Sequence, residues 1–131
     1  MLFRSATTVC KAGWTATIRP TVTYTNKLKD TQLKTTYASY TKIWGTKASA
    51  YEEDHLISLQ LGGNPSDPKN LWPQPYAGNG ARKKDVVETA LKRLVCSGKM
   101  KLADAQKAIL NWPDAYKKYV TSADQADNSD N

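Results

Sequence analysis

The sequence predicts a single α+β domain: a helix, two short strands separated by a loop, then two helices. Three observations carry this. Apolar residues recur at helical spacing in two blocks after residue 80. Aromatic and β-branched residues cluster on either side of Gly45. Between that cluster and the run "LWPQP" lies "GGNPSDPKN", whose Gly, Pro, Asn, Asp and Ser are turn formers. At 131 residues the chain is long enough for one modest core.

Residues 1–20 are Thr-rich and end at Arg19-Pro20, which reads as an irregular or extended leading segment. In "TYTNKLKDTQLKTTYASY", Thr25 is a candidate cap and Leu28, Leu33 and Tyr37 an apolar stripe, so a helix is expected. "TKIWGTKASAYEEDHLISLQL" reads as extended structure, and "LWPQPYAGNG" as a short strand broken by prolines and glycines. In "ARKKDVVETALKRLVCSG", Val87, Leu91, Leu94 and Val95 share a helix face before the Gly98 stop. In "LADAQKAILNWPDAYKKY", Leu102, Ala105, Ile109 and Trp112 do the same, and Pro113 ends or kinks the run. Both stripes are core faces. The domain spans 1–120, and 121–131 reads as a disordered polar tail.

Lys plus Arg number 19 against 12 Asp plus Glu, a net charge of +7. Three of those acids lie after residue 120, with no Lys or Arg, so residues 1–120 carry +10. Such a field favours a polyanion as partner, with an inert basic surface as the plain alternative. No run of 18 apolar residues could span a bilayer. The opening "MLFRSATTVC" is too short an apolar run for a signal peptide. That leaves a cytoplasmic chain, or one whose leader precedes it. With one His, the two cysteines, Cys10 and Cys96, cannot complete a four-ligand Cys/His zinc site. They are either buried thiols or one disulfide.

The chemistry concentrates in "YEEDHLISLQLGGNPSDPKNLWPQP", which holds the only histidine, His55, after three acids. Asp54 is a hard oxygen ligand for Mg²⁺ or Mn²⁺, and a neutral imidazole can take a proton from water near pH 7. Together they supply a cation and a nucleophile generator for phosphodiester hydrolysis. A lone Asp-His pair is more often an ordinary surface feature. The surrounding order changes that: Asp54-His55, an apolar turn ending at Gly62-Gly63, a loop, then Asn70-Leu71.

That order resembles the HNH, or ββα-metal, endonucleases. The resemblance extends over about residues 9–119, to a subgroup of small basic proteins. It is carried there by Val9-Cys10, "EDHLI", "NLWPQP", Lys84-Asp85, Glu88, Val95-Cys96, Ala105-Gln106, Ala108-Ile109 and Trp112. The resemblance implies a hairpin and metal-site helix with flanking helices. It implies His55 as general base, Asp54 as metal ligand and Asn70 as the residue that joins the strands and orients the histidine. It also implies a Cys10–Cys96 disulfide, a secreted or periplasmic protein, and hydrolysis leaving 5′-phosphate ends. The helix-side ligand would be Asn79, then Glu88, then Asp85, with Mg²⁺ the expected ion.

By strand parity Glu52 faces the same side as Asp54, in a supporting role, and Glu53 points away. Arg82 is the candidate for the scissile phosphate, at a helix N-terminus where anions are favoured. Lys42, Lys47, Lys83 and Lys84 are candidates for the nucleic-acid backbone. Trp44, Trp72 and Tyr76 could stack on bases, against a core role for Trp72 and Trp112. The expected activity is a largely non-specific endonuclease, acting on DNA in preference to RNA. The alternative is a catalytically silent, basic nucleic-acid-binding module.

Overall fold

The computed structural model describes residues 5–77 and 80–126. It is mixed α and β. Helices α1 (Ala6–Val9), α2 (Val22–Lys34) and α3 (Thr41–Trp44) precede strands β1 (Tyr51–His55) and β2 (Leu71–Pro75). Helices α4 (Gly80–Cys96), α5 (Leu102–Ile109), α6 (Trp112–Tyr119) and α7 (Ser122–Ala126) come after them. The strands form an antiparallel pair in which Asp54 lies opposite Trp72 and His55 opposite Leu71. Both strands of this two-stranded sheet are edges among the described residues, so β2 tolerates Pro73 and Pro75 without losing a central ladder bond.

The core lies where α4 meets α5 and α6. Val87, Leu91 and Val95 of α4 pack with Ala105, Ile109 and Ala115. Val9 and Trp14 close one side, and Ile57 and Leu61 of the hairpin loop plug another. Each large apolar side chain buried here contributes about 1.5–3 kcal/mol. The contact fixes the end of β1 against α4. Cys10 and Cys96 form a disulfide (S–S 2.02 Å, Cα–Cα 5.6 Å) that joins α1 to the end of α4. Among the described residues no helix is long and apolar enough to cross a membrane.

Several local expectations are corrected. The leading segment is not extended: α1 is capped by the Ser5 hydroxyl, and a 3-10 turn occupies Trp14–Thr17. Helix α2 begins directly after Pro20, capped by Thr21 rather than Thr25, because the Thr21 hydroxyl accepts the Tyr24 amide. The stretch before β1 is helical turns, and extended structure is confined to Tyr51–His55. Pro113 opens α6 rather than closing α5, at a helix position whose N–H has no partner to lose. Residues 122–126 of the expected polar tail form α7. It is held by Asp124, which takes two bonds from Arg93 (both 3.0 Å) and caps through Thr121. Residues 127–131 lie outside the described part.

Candidate active site

Strand β1 ends at Asp54-His55, and the loop between the strands folds back over the imidazole. The Leu56 amide pairs with the Asn70 carbonyl (2.9 Å). A 3-10 turn over Leu59–Leu61 closes on Gly62, whose φ of 83° favours glycine. At Gly63 a Cβ would overlap the Ile57 carbonyl, so this position too admits only glycine. Asn64 then accepts the Ser66 and Asp67 amides (3.0 Å each), which turns the chain and sets the Pro65 carbonyl over the site. His55 Nε2 meets that carbonyl at 2.9 Å. A carbonyl can only accept, so Nε2 carries the proton and Nδ1 is the ring's acceptor when the imidazole is neutral.

Asn70 holds this arrangement. It is completely buried. Its Oδ1 accepts the Ile57 amide (2.9 Å), and its Nδ2 donates to the carbonyls of Ile57 (3.0 Å) and Asn64 (2.9 Å). It therefore orients His55 through the loop that carries Pro65. That makes it a positioning residue, out of reach of a substrate, rather than a catalytic one.

Asp54 and Lys84 form the second half of the site. Lys84 Nζ donates to Asp54 Oδ2 (2.9 Å) and to the His55 carbonyl (2.6 Å), with only 2% of the lysine exposed. This overturns the expectation of a surface lysine tracking a phosphate backbone: the ammonium is inside, pinning α4 to the strand end. Burial disfavours its charge, but the carboxylates of Glu88, Asp54 and Asp85 outweigh that and raise its pKa. Glu88 is fully buried on the same side of α4, and desolvation pushes its carboxyl up to about 8 against the pull of Lys84. Asp85 is half-buried and contributes charge to both.

His55 is buried, and that desolvation lowers its pKa. The Pro65 bond and Asp54 act upward, and the charges of Lys84 and Arg19 act downward. Arg19 is exposed, and its charge reaches the imidazole. Nothing in its sequence position, 36 residues earlier, announces this. Arg82 and Lys83 are exposed too, but they line a cleft with Val86, Tyr116 and Gln125, towards α6 and α7. Lys42 and Lys47 are exposed on the helical segment that precedes β1. Glu52 is exposed, and its charge joins that of Asp54 in raising the Tyr76 hydroxyl, after burial. The two acids thus share a face, as parity requires. Glu53 faces α2, where burial raises its carboxyl to about 7 despite Lys29 and Gln32. Asn79 lies outside the described residues.

Both carboxylate oxygens of Asp54 are engaged by the protein itself. Oδ2 is taken by the Lys84 ammonium, and Oδ1 accepts the His55 amide (2.9 Å). Among the described residues no three His, Cys, Asp or Glu side chains converge as a metal-holding group. The Lys84 ammonium lies 2.9 Å from Asp54 Oδ2, so a divalent ion at this carboxylate would share it with Lys84 or displace it. Compared with known proteins, the chain matches no family model, no curated protein and no solved structure.

Proposed function

We propose that this protein hydrolyses phosphodiester bonds in nucleic acid, as an endonuclease of the HNH type, with His55 as general base. The observation that carries the reading is the His55 Nε2 bond to the Pro65 carbonyl. It fixes the tautomer, leaving Nδ1 to take a proton from water, and burial lowers the pKa so that the ring is neutral at pH 7. The water then attacks phosphorus in line as Nδ1 takes its proton, the P–O3′ bond breaks, and the 3′ oxygen takes up a proton from solvent, giving 5′-phosphate and 3′-hydroxyl ends. Arg19 is exposed and its charge reaches His55, which makes it a candidate to receive the phosphate, with Arg82, Lys83, Lys42 and Lys47 adding to a basic surface. Lys84 holds Asp54 and the strand end in place for the imidazole. The disulfide suits an oxidising compartment, in keeping with an exported protein.

The test is nicking of supercoiled plasmid and of circular single-stranded DNA by the wild type and by His55→Ala. It is run with Mg²⁺, with Mn²⁺ and with a chelator. Cleavage falling about 10²–10⁴-fold in the variant supports the reading. Binding without cleavage under every condition favours the silent binding module. Cleavage that persists in chelator assigns local charge neutralisation to the protein's own cations. Strict dependence on Mg²⁺ or Mn²⁺ would mean that the ion draws Lys84 away from Asp54.

A further inference from the structure

The tautomer of His55 depends on one carbonyl, and that carbonyl belongs to a turn near the surface. Pro65 is half-buried and Ser66 is exposed, yet the Pro65 oxygen stands 2.9 Å from His55 Nε2. A trans peptide unit is planar, and its C=O and the next N–H point in opposite directions. In the unit joining Pro65 to Ser66, the oxygen faces His55 while the N–H donates to Asn64 Oδ1 at 3.0 Å. In the unit joining Ser66 to Asp67, the N–H donates to the same Asn64 Oδ1, again at 3.0 Å. The oxygen of that second unit, the Ser66 carbonyl, accepts the Tyr24 hydroxyl at 2.6 Å.

Tyr24 comes from a different element, 42 residues away in the chain. It lies in the first turn of α2, where its amide donates to the Thr21 hydroxyl that caps the helix (3.2 Å). The residue is thus held by the cap at its backbone and by the turn at its hydroxyl. With 38% of it exposed, Tyr24 is not a core residue, and the hydroxyl is the part that engages the turn. Asn64 and Asn70 hold the turn from within the hairpin, whereas Tyr24 ties it to α2. The two peptide units are separated only by the φ and ψ of Ser66. A brace on the second oxygen therefore limits the rotation that would swing the Pro65 carbonyl off the imidazole.

We infer that Tyr24 is a positioning residue for the general base: its bond to the Ser66 carbonyl keeps the Pro65 carbonyl on His55 Nε2, and so keeps Nδ1 free to take the proton from water. The inference rests on the nuclease reading and adds to that site a residue which acts on the imidazole through the turn. The plain alternative is a bond that stiffens a surface turn and nothing more.

The test is Tyr24→Phe, which removes the hydroxyl and keeps the ring. Nitrogen chemical shifts of the His55 imidazole, read by NMR at a pH where the ring is neutral, report which nitrogen holds the proton. The wild type should show it on Nε2, and the variant should move towards a mixture of the two tautomers. In plasmid nicking with substrate concentration varied, kcat should fall about three- to tenfold, the factor one hydrogen bond of ordinary strength supplies, and KM should change less than twofold. Urea unfolding confirms that the variant is folded under the assay conditions. An unchanged tautomer in the variant overturns the inference, and so does a wild-type kcat. A lower unfolding stability with the ring and kcat as in the wild type assigns Tyr24 to the turn alone, which also overturns it. A wild type that cleaves nothing refutes the nuclease reading, and the imidazole measurement, which needs no substrate, still decides whether Tyr24 sets the tautomer.

Discussion

Replacing Lys84 by Met removes an ammonium while keeping most of the stem's volume. The side chains of Lys84 and Asp54 are 3% and 10% exposed, and their contact is 2.9 Å. Burial pushes the Glu88 carboxyl up to about 8, while Asp54 is the acid that the ammonium contacts directly. Taking the ammonium away removes the counter-charge in contact with the buried Asp54 carboxylate and strips the His55 carbonyl of its 2.6 Å bond. Breaking a buried pair from one side typically costs about 3–5 kcal/mol. The assay is urea unfolding at pH 7, with equal m-values as the check on two-state behaviour. Asp54→Asn in the Lys84→Met background should recover most of the loss, because the stranded charge is the cost. A loss below about 1 kcal/mol, or no recovery in the double variant, would refute the burial argument.

Asn70→Ala leaves the buried Ile57 amide without its 2.9 Å acceptor and frees the loop bearing Pro65. It should cost about 2–3 kcal/mol and shift the His55 imidazole resonances, which NMR reads directly. Opening the Cys10–Cys96 bridge, whose partners are 86 residues apart, should lower unfolding stability by about 4–5 kcal/mol on the chain-entropy argument, measured with Cys10→Ser/Cys96→Ser. Stability should fall as pH rises from about 6.5 to 8.5. The raised carboxyls of Glu53 (about 7) and Glu88 (about 8) favour the fold when protonated, and that contribution is lost as pH climbs through those values. The lowered pKa of His55 has the opposite sign, but its effect ends by its ordinary value of 6.5, so the slope above that belongs to the acids. Glu53→Gln should flatten the slope in equilibrium unfolding at successive pH values.

Much of the helical part is legible because its cause is local. The stripe Val87, Leu91, Val95 writes the buried face of α4 directly, and the turn composition of residues 62–70 marks the loop between the strands. The same stripe holds a signal that residue chemistry masks. Lys84 and Glu88 lie one helical turn apart on its margin, so spacing puts them inward while charge suggests outward. What settles it is Asp54, 30 residues away, which meets the lysine across the core boundary. The pairing of Arg93 with Asp124 and the reach of the Arg19 charge to His55 are likewise long-range, with no local pattern to announce them. The tail departs from its composition for the same reason: the polar residues 121–126 speak against a core, but one acid matched to one arginine is enough to seat a short helix.

His55 is the chain's only histidine, so its imidazole signals need no assignment by mutation. The most direct test of the central claim is to measure the pH dependence of single-turnover strand cleavage beside the NMR titration of that imidazole. If Nδ1 of His55 is the base, the rising limb of the rate and the imidazole titration share one pKa, and it lies below 6.5. A rate whose inflection departs from the titration, or an imidazole that titrates above its ordinary value, would contradict it.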